Sequence, residues 1–279
     1  TYYRVDENKI SNRFLMYAFQ DPVFQLTMKS LAQQSTRPYI GITAQRRLKI
    51  RWKPRQDQMR IVNVLGSYDD LIENNRRRIQ LLEQAARLLY KEWFVHLLFP
   101  GHEHVKIVGG VPEGWEKKPL GEIAPLKYGK ALKQDNRLPG PFPVYGSSGV
   151  VGSHEKPLLP GPTIIVGRKG NVGSVYWCSQ DCHPIDTVYY IESSKCSLFL
   201  YYALLKVPFI STDVAVPGLN RDFAHSRSIL VPADNIYRLF EETVSPLHRQ
   251  MDVLRKSSVA LETARDLLLP KLMNGEIVA

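Results

Sequence analysis

Leu82-Glu83-Gln84-Ala85-Ala86-Arg87-Leu88-Leu89 returns near the other end of the chain as Leu261-Glu262-Thr263-Ala264-Arg265-Asp266-Leu267-Leu268. Both segments have a helical pattern, and each follows a block of further matches. Phe14-Leu15-Met16-Tyr17-Ala18 pairs with Phe199-Leu200-Tyr201-Tyr202-Ala203, and Tyr2-Tyr3 with Tyr189-Tyr190. Ser35-Thr36 pairs with Ser211-Thr212, and Lys53-Pro54 with Val231-Pro232. The spacing drifts along these pairs, as short insertions cause, so they are weaker matches than the helical one. The pattern is a globular block followed by a long helix, twice over, and such a repeat constrains the whole fold.

The expected division is a globular remainder over 1–56, a helical region over 57–100, a second globular domain over 101–235 and a second helical region over 236–279. The first globular block is much the shorter. On the repeat alignment Thr1 falls in mid-domain, so the front of the first unit is expected to lie outside this numbering.

From Ile61 a seam runs through Leu65, Tyr68, Ile72, Asn75, Ile79, Leu82, Ala86, Leu89 and Trp93. Its steps alternate four and three, which is a heptad seam. Asn75 is the strongly polar member, and one buried polar residue in such a seam fixes register and partner. The second copy runs through Phe240, Val244, Leu247, Met251, Leu254, Ser258, Leu261, Arg265, Leu268 and Leu272. Asp57, just after Pro54, is the expected N-cap of the first helix. Phe99-Pro100-Gly101 is expected to end it. Pro246 is placed in the first turns of the second helix, and Pro270 is expected to kink its last turns. Neither helix buries its seam alone, so the two are expected to pack as a coiled coil. That coil reads either as a plain stalk or as a ruler between two similar blocks. Arg76-Arg77-Arg78 and Arg87 read as a solvated face or as a contact to phosphate or a partner subunit.

The chain has 279 residues, enough for roughly two domains, and 44% hydrophobic residues support real cores. No apolar run approaches the roughly 18 residues of a membrane span. Cys178, Cys182 and Cys196 are odd in number and clustered, which suits a reducing cytoplasm better than a disulfide scaffold. The net charge of +10 points to a polyanion, most simply nucleic acid.

The block over 101–235 reads as many short strands with glycine-marked turns. Val111 to Glu116 forms a turn leading into a strand, Ile164 to Val166 a buried strand, and Leu198 to Lys206 the clear helix. A basic loop carries Lys127, Tyr128, Lys130 and Lys133. Gly167-Arg168-Lys169-Gly170-Asn171-Val172-Gly173 has glycines for a tight turn and two cations and an amide at its tip. Its backbone N–H groups are expected to be able to cradle phosphate, while Arg and Asn match guanine and adenine edges. The loop lacks the ending of a phosphate-binding Walker loop and the spacing of a dinucleotide fingerprint. A structural turn is the other reading. Tyr145-Gly146-Ser147-Ser148, Ser211-Thr212 and Gly218-Leu219-Asn220-Arg221 add further polar turns.

Cys178, Cys182 and His183 offer three candidate zinc ligands where a structural site wants four, so no metal is assigned. His96, His102 and His104 read as surface or capping residues, and His225 as either a satisfied histidine or a DNA contact. No Asn/Asp-Pro-Pro-Tyr/Phe stretch, Gly-x-Ser-x-Gly elbow or His-Glu-x-x-His pair is present, so a catalytic role for this chain is not expected.

Three stretches carry a family resemblance: Pro143-Val144-Tyr145-Gly146-Ser147-Ser148-Gly149, Ile165 to Val175, and Pro217-Gly218-Leu219-Asn220-Arg221. The closing Leu267-Leu268-Leu269-Pro270-Lys271-Leu272-Met273-Asn274-Gly275-Glu276-Ile277 carries it too. In combination they make the chain resemble the specificity subunit of type I restriction–modification systems. The resemblance implies an α+β fold, with mixed target-recognition domains of short strands joined by two long helices packed as an antiparallel coiled coil. It implies a non-catalytic subunit that reads a split target in double-stranded DNA, the helices setting the gap between half-sites. It implies two methyltransferase subunits that bind S-adenosylmethionine and motor-nuclease subunits that use ATP and Mg, with no cofactor in this chain. Under this reading Lys127, Lys130, Lys133 and Lys169 attract phosphates. Arg168, Asn171, Asn220, Arg221 and the turn holding Tyr145, Ser147 and Ser148 read base edges. The rival is a coiled-coil scaffold without base reading, and a stand-alone DNA enzyme is a further rival.

Overall fold

The computed structural model describes residues 3–32, 39–209 and 218–278. Tyr2, Ser35-Thr36, Ser211-Thr212 and Pro217 therefore lie outside the described residues. The helices are α1 (Asn12–Gln20), α2 (Pro22–Ala32), α3 (Ile42–Gln45), α4 (Arg55–Tyr90), α5 (Leu120–Ile123), α6 (Leu198–Leu204), α7 (Arg221–His225) and α8 (Asp234–Asn274). The strands are β1 (Ile107–Val108), β2 (Val111–Pro112), β3 (Glu116–Pro119), β4 (Lys127–Tyr128), β5 (Phe142–Gly146), β6 (Gly149–His154), β7 (Thr163–Gly167), β8 (Val175–Cys178), β9 (His183–Pro184), β10 (Val188–Ile191) and β11 (Ser228–Val231). Two compact units result, one of residues 1–81 with 253–279 and one of residues 82–252. Both long helices contribute to both units.

In the first unit α1 lays Phe14, Tyr17 and Ala18 against Ile61, Val62 and Leu65 of α4 and Leu269, Leu272 and Met273 of α8. Numbering rises along α4 as it falls along α8, since Ile61 lies among Leu269 to Met273 while Asn75 reaches Ser257. The pair is antiparallel. Asn75 is buried, and its Nδ2 lies 3.5 Å from Ser257 Oγ. Arg265, a seam position, is kept polar by ion pairs to Asp69 at 2.7 Å and Asp266 at 2.8 Å.

The second unit buries Ala86, Tyr90, Trp93 and Phe94 against Phe240, Val244 and all seven residues of α6. The first helix departs from expectation at both ends. It starts at Arg55, so Asp57 sits in the first turn, where it pairs with Arg60 at 3.6 Å and favours the N-terminal dipole. It ends earlier than Phe99-Pro100-Gly101, passing into a π-helical turn over Lys91–Val95 that buries Trp93 and Phe94 together. Leu97 then turns left-handed at φ 59°. The second helix starts at Asp234, which puts Pro246 well inside it, and it runs on through Pro270 to Asn274.

The strands form a four-stranded sheet in the order β4-β10-β7-β8, a three-stranded sheet β6-β5-β9 and two pairs, β11-β3 and β1-β2. All described pairings are antiparallel except β5 with β9. β7 is buried along its whole length, as a β-branched strand flanked on both sides should be. This sheet carries the 167–173 turn at its β7–β8 end.

Candidate nucleic-acid interface

The turn after β7 is built from the backbone. Arg168 and Lys169 N–H both donate to Thr187 O, Gly173 N–H to Gly167 O, Val172 N–H to Gly170 O and Ser174 N–H to Asn171 O. Asn171 N–H reaches Ser147 Oγ at 3.4 Å. These amides are therefore committed inside the protein, which corrects the expectation of a backbone phosphate cradle. What the turn offers outward is side chains. Gly170 and Gly173 take φ 79° and 76°, which glycine adopts freely. A Cβ on Gly167 would lie 2.2 Å from Asn171 O, so this position admits only glycine.

A second polar turn meets the first. Ser147 O accepts from Ser174 Oγ at 2.7 Å and from the Tyr176 hydroxyl at 3.1 Å. Ser147 is thus next to Asn171, Ser148 is exposed and Tyr145 is half-buried beside Tyr176, with ring centroids 6.3 Å apart. A third segment joins through Leu219 N–H, which donates to Arg168 O at 2.8 Å, and through a bridge between Lys169 and Gly218. The Tyr189 hydroxyl donates to Leu219 O at 2.9 Å. Residues from four distant stretches are thereby gathered at one end of the sheet.

At their centre stands Tyr128, 48% exposed at the edge strand β4. The Arg168 guanidinium lies 4.9 Å from its ring centroid and the Arg221 guanidinium 5.3 Å. Arg168 also lies 5.8 Å from the Tyr189 ring, and its Nη1 donates to Asp186 O at 3.2 Å. Two guanidiniums on one aromatic ring are held by cation–π attraction, which offsets part of their mutual repulsion. Burial raises the Tyr189 hydroxyl above its ordinary pKa, and its contact with Tyr128 acts in the same direction.

The candidate residues separate into groups. Arg168, Lys169, Asn171, Arg221, Ser147 and Ser148 share this end of the sheet. Asn220 is the N-cap of α7, its side-chain oxygen accepting from Asp222 N–H at 2.8 Å and Phe223 N–H at 3.1 Å. That oxygen is spent on the helix. Lys127 is paired with Glu192 at 2.5 Å, which offsets its charge. Lys130 is exposed, its backbone tied to Pro184 O at 3.0 Å, and Lys133 is exposed ahead of a short helical turn at 134–136. His225 is a satisfied histidine, because Leu126 N–H donates to its Nε2 at 2.8 Å. Sequence alone does not mark Tyr128 as a base reader. A two-residue strand has no periodicity to mark it, and its two arginine neighbours lie 40 and 93 positions away in sequence.

Cys178 and Cys182 are buried and Cys196 partly so. Contact with Cys182 holds the Cys178 thiol down to about 7 and pushes Cys182 up. His183 turns its Nε2 to Lys130 O at 3.3 Å. Among the described residues no group of three or more His, Cys, Asp or Glu is placed to hold a metal ion. Nor is any of their helices long and apolar enough to cross a membrane.

Residues 112–229 match the family described as "Type I restriction modification DNA specificity domain". The "Type I restriction enzyme MjaIX specificity subunit" of Methanocaldococcus jannaschii is 24% identical, the match covering 98% of this chain and 71% of that protein. The "Type I restriction enzyme HindI specificity subunit" of Haemophilus influenzae is 23% identical over 95% of this chain and 76% of its own. The solved "Type-I restriction-modification system S subunit from M. genitalium" aligns with a TM-score of 0.61 at 24% identity, over 96% of this chain and 74% of that one, and shows the fold. The resemblance read from the closing helix and the glycine-rich turns is thus shown along almost the whole chain. The family match falls on the block that carries the arginine pair.

Proposed function

We propose that this chain is the DNA-recognition subunit of a type I restriction–modification complex. The observation that carries it is the gathering of Arg168, Lys169, Asn171, Arg221 and Ser147 from separate stretches onto one end of a sheet, inside the segment that matches the specificity domain. Guanidiniums held by aromatic stacking, Arg221 exposed and Arg168 half-buried, suit base edges, and lysines around them suit phosphates. The two long helices, antiparallel where they pack in the first unit, supply the ruler that a split target needs.

On this reading the chain does no chemistry itself. Adenine methyltransferase subunits supply S-adenosylmethionine, and motor-nuclease subunits supply ATP and Mg. The complex works on cytoplasmic DNA. A scaffold without base reading is not favoured, because a scaffold has no use for stacked and outward-facing arginines at convergent turns.

The test is to purify the tagged chain from its host and to compare host methylomes with and without its gene. Recovery of a methyltransferase, with one bipartite methylated motif lost on deletion, is the expected result. An unchanged methylome with no methyltransferase recovered would overturn the proposal.

A further inference from the structure

Arg168 and Arg221 share the Tyr128 ring but differ in freedom. Arg168 is half-buried, faces a second ring at Tyr189 and donates to Asp186 O. Arg221 is exposed and opens α7, whose first turn is fixed by the Asn220 cap. Its side chain lies over Tyr128, so part of the entropy of ordering a long side chain is already spent before any ligand arrives. A guanidinium presents donors in a planar fork, and the base edge with two acceptors spaced for that fork is guanine, through O6 and N7 in the major groove. Adenine offers N7 beside an amino donor, which a guanidinium does not match. Phosphate also accepts a fork, but it does not require the ring-held orientation that this arginine has.

We infer that Arg221 reads a guanine in the half-site of the second recognition domain, with Tyr128 as the residue that positions it and Arg168 as the anchor that fixes the ring. The inference rests on the DNA-recognition reading above and narrows it to one base and one residue. It also makes Tyr128 a specificity determinant although its own ring contacts no base.

The test uses the full chain and duplex DNA from a randomised library, with sequencing of what is retained. The wild type should enrich a guanine at one fixed position. Arg221→Ala should lower discrimination at that position by about 5- to 100-fold, leaving preferences elsewhere intact. Arg221→Lys should keep the salt dependence and lose the discrimination, since the charge stays and the fork goes. Tyr128→Phe should retain the preference and Tyr128→Leu should weaken it. In the selected duplex, 7-deazaguanine at the position should weaken the wild type about tenfold and leave Arg221→Ala unaffected. If Arg221→Ala weakens all sequences equally and lowers the salt slope by about one, the residue is a phosphate contact and this inference falls while DNA recognition stands. If the wild type enriches no sequence at all, the proposed function falls and takes the inference with it.

Discussion

The Tyr17 hydroxyl donates to Asp69 Oδ2 at 2.5 Å. The repeat places the same contact in the second unit, where Tyr202, the partner of Tyr17, shares a 2.7 Å hydrogen bond with His248, the position that repeats Asp69. One buried tyrosine on a short helix thus ties each globular block to a long helix, with a different polar partner in each copy. In the first unit Arg265 completes the group, donating to Asp69 Oδ1 at 2.7 Å. Its repeat position is Ala86, which is buried without polar atoms. Asp69→Ala strips Tyr17 of its acceptor and leaves Arg265 with Asp266 alone, and should cost about 1–3 kcal/mol. In Arg265→Ala the further cost of Asp69→Ala should be smaller. Urea unfolding of the four proteins in the cycle measures this, and strictly additive losses would show that Asp69 and Arg265 are uncoupled.

Asn220 separates capping from base contact. Its side-chain oxygen serves the α7 amides, so Asn220→Ala should cost about 1 kcal/mol and should loosen Arg221 along with the helix. Asn220→Asp keeps an acceptor at the positive end of the helix and should restore both stability and DNA affinity. Thermal unfolding and DNA titration of both variants check it. Loss of DNA affinity in Asn220→Asp at unchanged stability would make Asn220 a base contact instead.

Gly167 should be far less tolerant than glycines in open space. A Cβ there meets Asn171 O at 2.2 Å, whereas one on Gly218 meets nothing within 4 Å. Gly167→Ala should displace the 167–173 turn and remove sequence preference, and Gly218→Ala should leave it nearly unchanged. Equal binding profiles for the two variants would refute the turn's role.

His225 makes the second unit sensitive to acid. Burial, aided by the charge of Arg221, holds its imidazole below the ordinary 6.5. The neutral ring is also the form that accepts from Leu126 N–H. The unfolded chain therefore binds the proton more readily than the folded one. The stability this provides is complete above pH 6.5 and is lost as the pH falls from 6.5 through the lower folded value. His183 is depressed in the same direction by burial and should add to the loss. Unfolding midpoints at pH 7.5 and 5.5 should differ less in His225→Gln than in the wild type. An identical pH slope in the two would exclude His225 as the cause.

The helices were legible because their information is periodic. Every seam position from Ile61 to Trp93 and from Phe240 to Leu272 is buried or half-buried. Their ends were less so, because the π-helical turn at Lys91–Val95 is stabilised by the aromatic packing of Trp93 and Phe94 against Phe240 and Phe199, which no local signal announces. The turn at 167–173 was visible from its glycines, but the use of its amides was not. Those amides are taken by Thr187 O and by carbonyls of the turn itself, and only the folded sheet brings Thr187 there. Tyr128 was likewise hidden, since its meaning depends on two arginines brought from distant strands and helices.

The amide commitments around Thr187 O leave the fold of the 167–173 turn largely independent of the side chains at its exposed tip, Lys169 and Asn171. Lys169 and Asn171 contribute backbone groups to the turn, and any non-proline residue with suitable dihedrals supplies the same groups. Mutation at these tips can therefore change which sequence is recognised while the host domain folds as before. Under the recognition proposed above, a change of target can therefore come in single steps at Lys169 and Asn171, while Gly167 keeps the turn and Asn220 keeps the start of α7.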